Sequence, residues 1–203
     1  MIDPRTADTD LTARAKIRNS ALDLYAEHGE DRISMRTVAA AAGVTVGLVQ
    51  HHFKTKDGLR DAVEQLVVDY HAQAIASAPT DGTAAEVAAA RDLAVARMLV
   101  AHPPVVNYMR RVLLNPPTGG SQLLHRLTEL SRVQVVGLRE SGQASTDRSV
   151  AEQTVGLMVR QVGHLFLQPM VDAMWTQLTA DDAKSGEKPT LKVNARVPEG
   201  GHR

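Results

Sequence analysis

Two adjacent histidines, His51 and His52, stand in the stretch GVTVGLVQHHFKTKDGL, Gly43 to Leu59, with a glutamine before them and lysines at 54 and 56 after them. Imidazoles can ligate a metal, move protons or face a polar partner. Successive residues on a helix diverge by about 100°, whereas two ligands on one face stand three or four positions apart. The chain has no cysteine, and from Arg32 to Lys56 it has no Asp or Glu, so no ligand set assembles around the pair. No nucleophile or orienting carboxylate stands in a recognisable setting either. No catalytic residue, metal or cofactor is expected, and the chain is not read as an enzyme.

The helical period separates the two histidines. On a short helix starting after Thr45, the residues Leu48, Val49 and His52 share an inner side, and Phe53 is core. Val46, Gly47, Gln50 and His51 share the outer side, with Thr45 at its edge. These outer residues are small or polar and suit close approach to a partner surface. Four cations (Arg32, Arg36, Lys54 and Lys56) fall in the same acid-free stretch, while the whole chain carries a formal net charge of +0. A local basic patch of this kind can meet phosphates, and glutamine can pair with adenine N6 and N7 in a major groove. Gln50 is therefore a candidate base reader and Val46 a candidate contact for a thymine methyl. Gly47 lets the helix sit deep. Arg36, His51 and Lys56 are candidate backbone contacts, Arg32 is read as solvated, and Lys54 is balanced between the two roles. Ser34 and Thr55 can present helix N-termini to phosphate.

The elements that must position these residues are helical. Ala, Leu, Arg, Glu and Gln dominate, and no stretch alternates with period two. Punctuation marks nine segments. The first, Thr12 to His28, places Ile17, Ala21, Leu24 and Tyr25 on one face and ends at Gly29. Ser34 caps the second, which turns Val38, Ala39 and Ala42 inward and stops at Gly43. Thr45 caps the third, and Thr55 caps a long fourth reaching Ser77. Helix, helix, glycine turn and short helix make a helix-turn-helix order. The others are Ala84–Ala101, Pro103–Leu114, Ser121–Glu140, Asp147–Leu167 and Met170–Thr179.

The 203 residues suffice for one or two domains with a sizeable core, and 43% of them are hydrophobic. One Trp, three Tyr and two Phe are too few for a base-stacking platform. No apolar run approaches the ~18–20 residues of a membrane span. The N-terminus lacks the apolar core of a secretory signal. A cytoplasmic protein with no membrane partner is expected. Residues 1–11 are read as a flexible start, 12–60 as a helix-turn-helix DNA-binding domain, 61–182 as a second helical domain, for which the resemblance described next implies effector binding and dimerisation, and 183–203 as a mobile tail.

Ile17 to Leu59 resembles the DNA-binding domain of TetR-family transcriptional regulators. The likeness rests on the Ile17, Ala21, Leu24, Tyr25 and Gly29 frame, on SMRTVAAAAGVT from Ser34 to Thr45, and on GLVQHHFKTKDGL. It covers about a fifth of the chain; the later helices match the family only in number and length. The resemblance implies an all-α fold, a homodimer with two DNA-binding heads, and a C-terminal domain that holds a small effector. It puts Thr45, Val46, Gly47, Gln50 and His51 on the recognition surface and makes Lys56 the phosphate-contacting lysine. Gln50 stands where many members have tyrosine, which changes the contact available there.

In the C-terminal part, Met98, Tyr108 and Met109 are candidates to line a pocket for a partly apolar effector, although such residues also fill ordinary helical cores. His125, Arg160 and His164 are candidate polar anchors. Gly156 and Gly163 stand seven apart, nearly on one helix face, and glycine inside a helix costs roughly 0.5–1 kcal/mol against alanine. With Val159, Phe166, Met170 and Met174 they mark an expected dimer face. The reading is a DNA-binding repressor released from a near-palindromic operator by an effector. The alternatives are an activator or effector-independent regulator of the same fold, and a helical small-molecule carrier.

Overall fold

The computed structural model describes residues 13–180, 186–191, 193 and 195. The expected flexible start at 1–11 lies outside them, as does most of the expected tail. The described residues form eight α-helices and one short 3₁₀ turn: α1 (Ala13–His28), the turn Glu30–Arg32, α2 (Met35–Ala41), α3 (Val46–Phe53), α4 (Lys56–Ala76), α5 (Ala84–Ala101), α6 (Pro103–Leu114), α7 (Leu123–Glu140) and α8 (Val150–Thr179). None is long and apolar enough to cross a membrane. The expected nine segments become eight helices because α8 runs through Pro169. A proline removes one N–H donor and displaces one carbonyl, and here the Leu-, Met- and Gln-rich flanking turns outweigh that loss.

Helix ends follow the capping residues. The Ser34, Thr45 and Thr55 hydroxyls accept the N–H groups of Thr37, Leu48 and Gly58 at 3.0, 3.2 and 3.0 Å. Thr83 with Glu86, and Ser149 with Glu152, form reciprocal capping boxes that start α5 and α8. Pro103 and Pro104 open α6, where their missing N–H groups cost nothing. Gly43 turns the chain out of α2 at φ 67°, a left-handed conformation that glycine adopts without a Cβ clash. Gly58 is required for a different reason: a Cβ there would collide with the Phe53 carbonyl oxygen.

Contacts divide the chain into two compact units, Met1–Leu130 and Ser131–Arg203, with the division inside α7. The expected segment 12–60 lies whole in the first unit, and 61–182 is shared between the two. In the first unit α1 packs on α6 as well as on α2, α3 and α4. It therefore buries two sides: Ile17, Ala21 and Tyr25, and also Ala15, Leu22 and Ala26. Leu24, expected inward, is half-buried, while Leu22 is fully buried. Arg111 of α6 ties down the end of α1 by donating to the Ala26 and Glu27 carbonyls at 2.8 and 2.5 Å.

A polar network crosses this unit. Arg60 of α4 pairs with Glu30 and Asp57, both at 3.0 Å. One turn on, the fully buried Glu64 accepts the Ser121 hydroxyl at 2.7 Å and the Gln122 N–H at 3.1 Å. Arg126 of α7 donates to the Asp61 carbonyl and carboxylate at 2.9 and 3.1 Å. Burial pushes the Glu30 carboxyl up, and the Arg60 guanidinium draws it back down by less.

The second unit is thinly packed. Along its 30 residues α8 buries only Thr154 and Leu165. Ser131 of α7 donates to the Met158 sulfur at 3.1 Å.

Two stability predictions follow from the first unit. His71 of α4 is buried, and its Nδ1 donates to the Val67 carbonyl at 2.8 Å. Burial holds its pKa below the ordinary 6.5. Above that value the group contributes no pH dependence. As the pH falls below it, the unfolded chain takes up the proton first, and stability drops by up to about 1.4 kcal/mol per pH unit until the folded pKa is reached. Urea denaturation of wild type and His71→Gln, compared at pH 7.5 and in this acid window, should show a smaller acid loss in the variant. Gly58→Ala should cost roughly 1–3 kcal/mol in the same assay, because backbone rather than a flexible side chain must move.

Candidate nucleic-acid interface

The candidate reading surface is built by packing on the opposite side of α3. Val49 is fully buried and Phe53 is 5% exposed, and these two pin the short helix to the head. The α2–α3 turn closes with Gly43 N–H donating to the Ala40 carbonyl at 3.2 Å and Val44 N–H to the Ala39 carbonyl at 2.9 Å. Val38 and Ala39 of α2 are buried beneath it. With that side occupied, the helical period leaves Thr45, Gly47, Gln50 and His51 exposed and Val46 half-buried.

The two histidines divide less sharply than the helical wheel suggests. His51 is exposed and His52 is half-buried. Their rings meet edge to face at 5.3 Å, and His52 meets Phe53 at 6.3 Å. His52 thus forms the seam between the surface and the core.

The cations surround this helix. Arg36 on α2 and Lys54 after α3 are exposed, and Lys56 at the start of α4 is half-buried. Lys54 takes φ 62°, uncommon for a residue with a Cβ, because the chain must turn sharply between α3 and the Thr55 cap. Lys56 lies near enough to Glu30 to help draw its carboxyl down. The exposed Thr55 caps α4, whose first turn begins at Lys56. The arrangement combines amide and imidazole hydrogen-bonding groups on one helix with positive charge on both flanks, which suits base edges and phosphates respectively.

The structure adds one cation that the sequence does not point to. The Arg14 guanidinium of α1 lies 5.4 Å from the centre of the Phe53 ring. Thirty-nine positions separate the pair, and no local pattern links them.

The other candidates are scattered. Met98 on α5 and Tyr108 and Met109 on α6 are buried in the first unit, and α5 packs on α6. The Tyr108 hydroxyl is buried without a hydrogen-bond partner among the described residues, and its ring stacks with Tyr25 at 6.4 Å. Burial, with the nearby Glu64 and Glu30 carboxylates, pushes this phenol up. His125 is exposed. Arg160 and His164 lie half-buried on α8 in the second unit, where the His164 Nδ1 meets the Leu191 carbonyl at 3.3 Å. Of the expected dimer face, Gly156, Val159, Gly163 and Phe166 are half-buried and Met170 and Met174 exposed.

Comparison with known proteins places this geometry. Residues 17–63 match the family described as bacterial regulatory proteins, tetR family. The HTH-type transcriptional regulatory protein RaaS of Mycobacterium tuberculosis is 45% identical over 60 residues, covering 30% of this chain and 28% of that protein. The HTH-type transcriptional repressor Rv1474c of the same organism is 27% identical over 152 residues, 71% of this chain and 75% of that protein. Among solved structures, a protein from Shewanella sp. PV-4 assigned to the tetR family superposes with a TM-score of 0.63 at 21% identity, covering 83% of this chain and 90% of that one. At that identity the likeness speaks for the fold. With its head matched in sequence and its helices matched in arrangement, the chain is similar to TetR-family transcriptional regulators.

Proposed function

We propose that the chain acts as a homodimeric, sequence-specific repressor that leaves a near-palindromic operator when a small effector binds. The observation that carries the DNA-binding part is the division of α3, with Val49 and Phe53 buried and Thr45, Gly47, Gln50 and His51 exposed. Gln50 is the base reader. Arg36, His51 and Lys56, with the α4 N-terminus at Thr55, hold the backbone, and Val46 offers an apolar contact. The resemblance to a relative named a repressor supports the repressor sense.

The dimer reading is supported by α8. Its Met170, Met174 and Leu178 are 55%, 47% and 77% exposed, and large apolar side chains left open along one helix favour a covering partner. Two heads related by a two-fold axis read half-sites about 34–36 Å apart. The effector reading is supported by the Tyr108 hydroxyl, a buried polar atom without a hydrogen-bond partner among the described residues, in the core that also buries Met98 and Met109. Release requires an effector that binds the DNA-incompetent arrangement more tightly than the competent one.

Selection from random duplex DNA should recover a near-palindrome, with affinity falling steeply as salt rises. No enriched palindrome, together with salt-insensitive binding, would remove this reading. Gln50→Ala should cost about 1–3 kcal/mol on the selected operator and relax preference at one base pair in each half-site. Lys56→Ala should weaken all sequences more evenly and lower the salt slope, as measured by fluorescence anisotropy across a salt series.

A further inference from the structure

Beyond α8 the described residues of the C-terminal segment lie back along that helix. Lys188 pairs with Asp172 at 2.9 Å. The Gln168 side-chain amide donates to the Pro189 carbonyl at 3.3 Å, and its oxygen accepts the Leu191 N–H at 2.8 Å. The Leu191 carbonyl in turn meets His164 Nδ1 at 3.3 Å. Further on, all three side-chain carbons of Val193 lie 2.9–3.0 Å from where a Cβ on Gly163 would stand. The segment therefore runs antiparallel to α8, from Asp172 down to Gly163.

The fit has a geometric basis. Helix positions four apart rise about 6 Å. Two residues of extended chain advance about 6.4–6.8 Å. Asp172, Gln168 and His164 thus recur at nearly the repeat of an extended peptide, and each can serve successive polar groups of it. Gln168 supplies one donor and one acceptor, which match a carbonyl and an N–H on the two sides of Thr190. Gln168 also donates to Asp172 at 3.0 Å, which holds the ladder together. The notch at Gly163 then takes a branched side chain. Nothing stands within 4 Å of the equivalent point at Gly156.

We infer that this face of α8 is a docking site for an extended segment, filled by the chain's own residues 188–191 and 193, and that a second copy of the protein must displace that segment to pack at Gly163. The inference rests on the homodimer reading above. A partner helix approaching closely at Gly163 needs the volume that Val193 occupies. The stripe of Leu167, Met170, Met174 and Leu178 that the partner would cover is left exposed on the same helix. Solvent-exposed ion pairs and single neutral hydrogen bonds are individually weak, so the segment is held exchangeably. Its release would add to the cost of dimerisation, and through it to the cost of binding a two-fold operator.

Sedimentation equilibrium over a concentration series tests this with three proteins: the full chain, a chain ending at Ser185, and full-length Gln168→Ala. Removing the segment or its main rung should lower the dimer dissociation constant about five-fold or more. Gln168→Ala keeps the test sound if the shortened chain fails to fold. A dimer of unchanged strength in both altered proteins would overturn the inference alone. A weaker dimer on shortening would also overturn it, since the segment would then belong to the interface. If all three proteins stayed monomeric at every concentration, the homodimer reading would fall and this inference with it.

Discussion

The buried pairing of Arg60 with Glu30 governs the first unit. Their side chains are 10% and 4% exposed, and the nitrogen and oxygen stand 3.0 Å apart. A charge buried this far is costly unless its partner is held in place. Glu30 belongs to the short turn after α1, and Arg60 to the second turn of α4. The pair therefore constrains where α4 leaves the three-helix head. Glu64 extends the same device one turn along, fastening Ser121 and Gln122 at the start of α7. Arg111 fastens the end of α1 to α6. Head, α4, α6 and the α6–α7 loop are thus tied by directional bonds as well as apolar packing, and the elements cannot slide freely past one another.

That constraint bears on the candidate interface because α4 belongs to two environments. Its first turn carries Lys56 after α3, and its later turns bury Leu66, Val67, Tyr70, His71 and Ala74. Any tilt of α4 moves Lys56 and strains the Arg60 pair together. A buried rearrangement at Tyr70 or His71 can reach the start of α4, next to α3, through one rigid helix. This is a physical route for coupling two sites, provided that a ligand binds the two tilts unequally.

The second unit is organised differently. Its long helix α8 buries only Thr154 and Leu165 and carries exposed Leu167, Met170, Met174 and Leu178. A polar ladder on one side holds the returning C-terminal segment, and the apolar stripe lies beside it. Directional bonding is thus concentrated in the first unit, while the described contacts of α8 are mostly exposed and exchangeable.

The sequence by itself determined the helix-turn-helix, because its signals are local. Ser34, Thr45 and Thr55 each cap the helix that follows them, Gly43 supplies the left-handed turn, and a 3.6-residue period divides Gln50 and His51 from Val49. The bounds of α5 and α6 were legible for the same reason, since Thr83 and paired prolines mark where they start. Only the tertiary structure decided the rest. Leu22 is core because α6 covers a second side of α1, and no period on α1 alone reports a second neighbour. Pro169 reads as a break in a linear chain, yet the turns around it carry α8 through. The Arg60–Glu30 and Glu64–Ser121 bonds span 30 and 57 positions. Gly163 was expected to mark a close approach at a dimer face, and the structure sets Val193 from the same chain in that notch. Capping and periodicity act over one turn of backbone, so they can be read from sequence. Buried charge pairs and occupied notches depend on which distant surfaces meet, and only the folded chain brings those together.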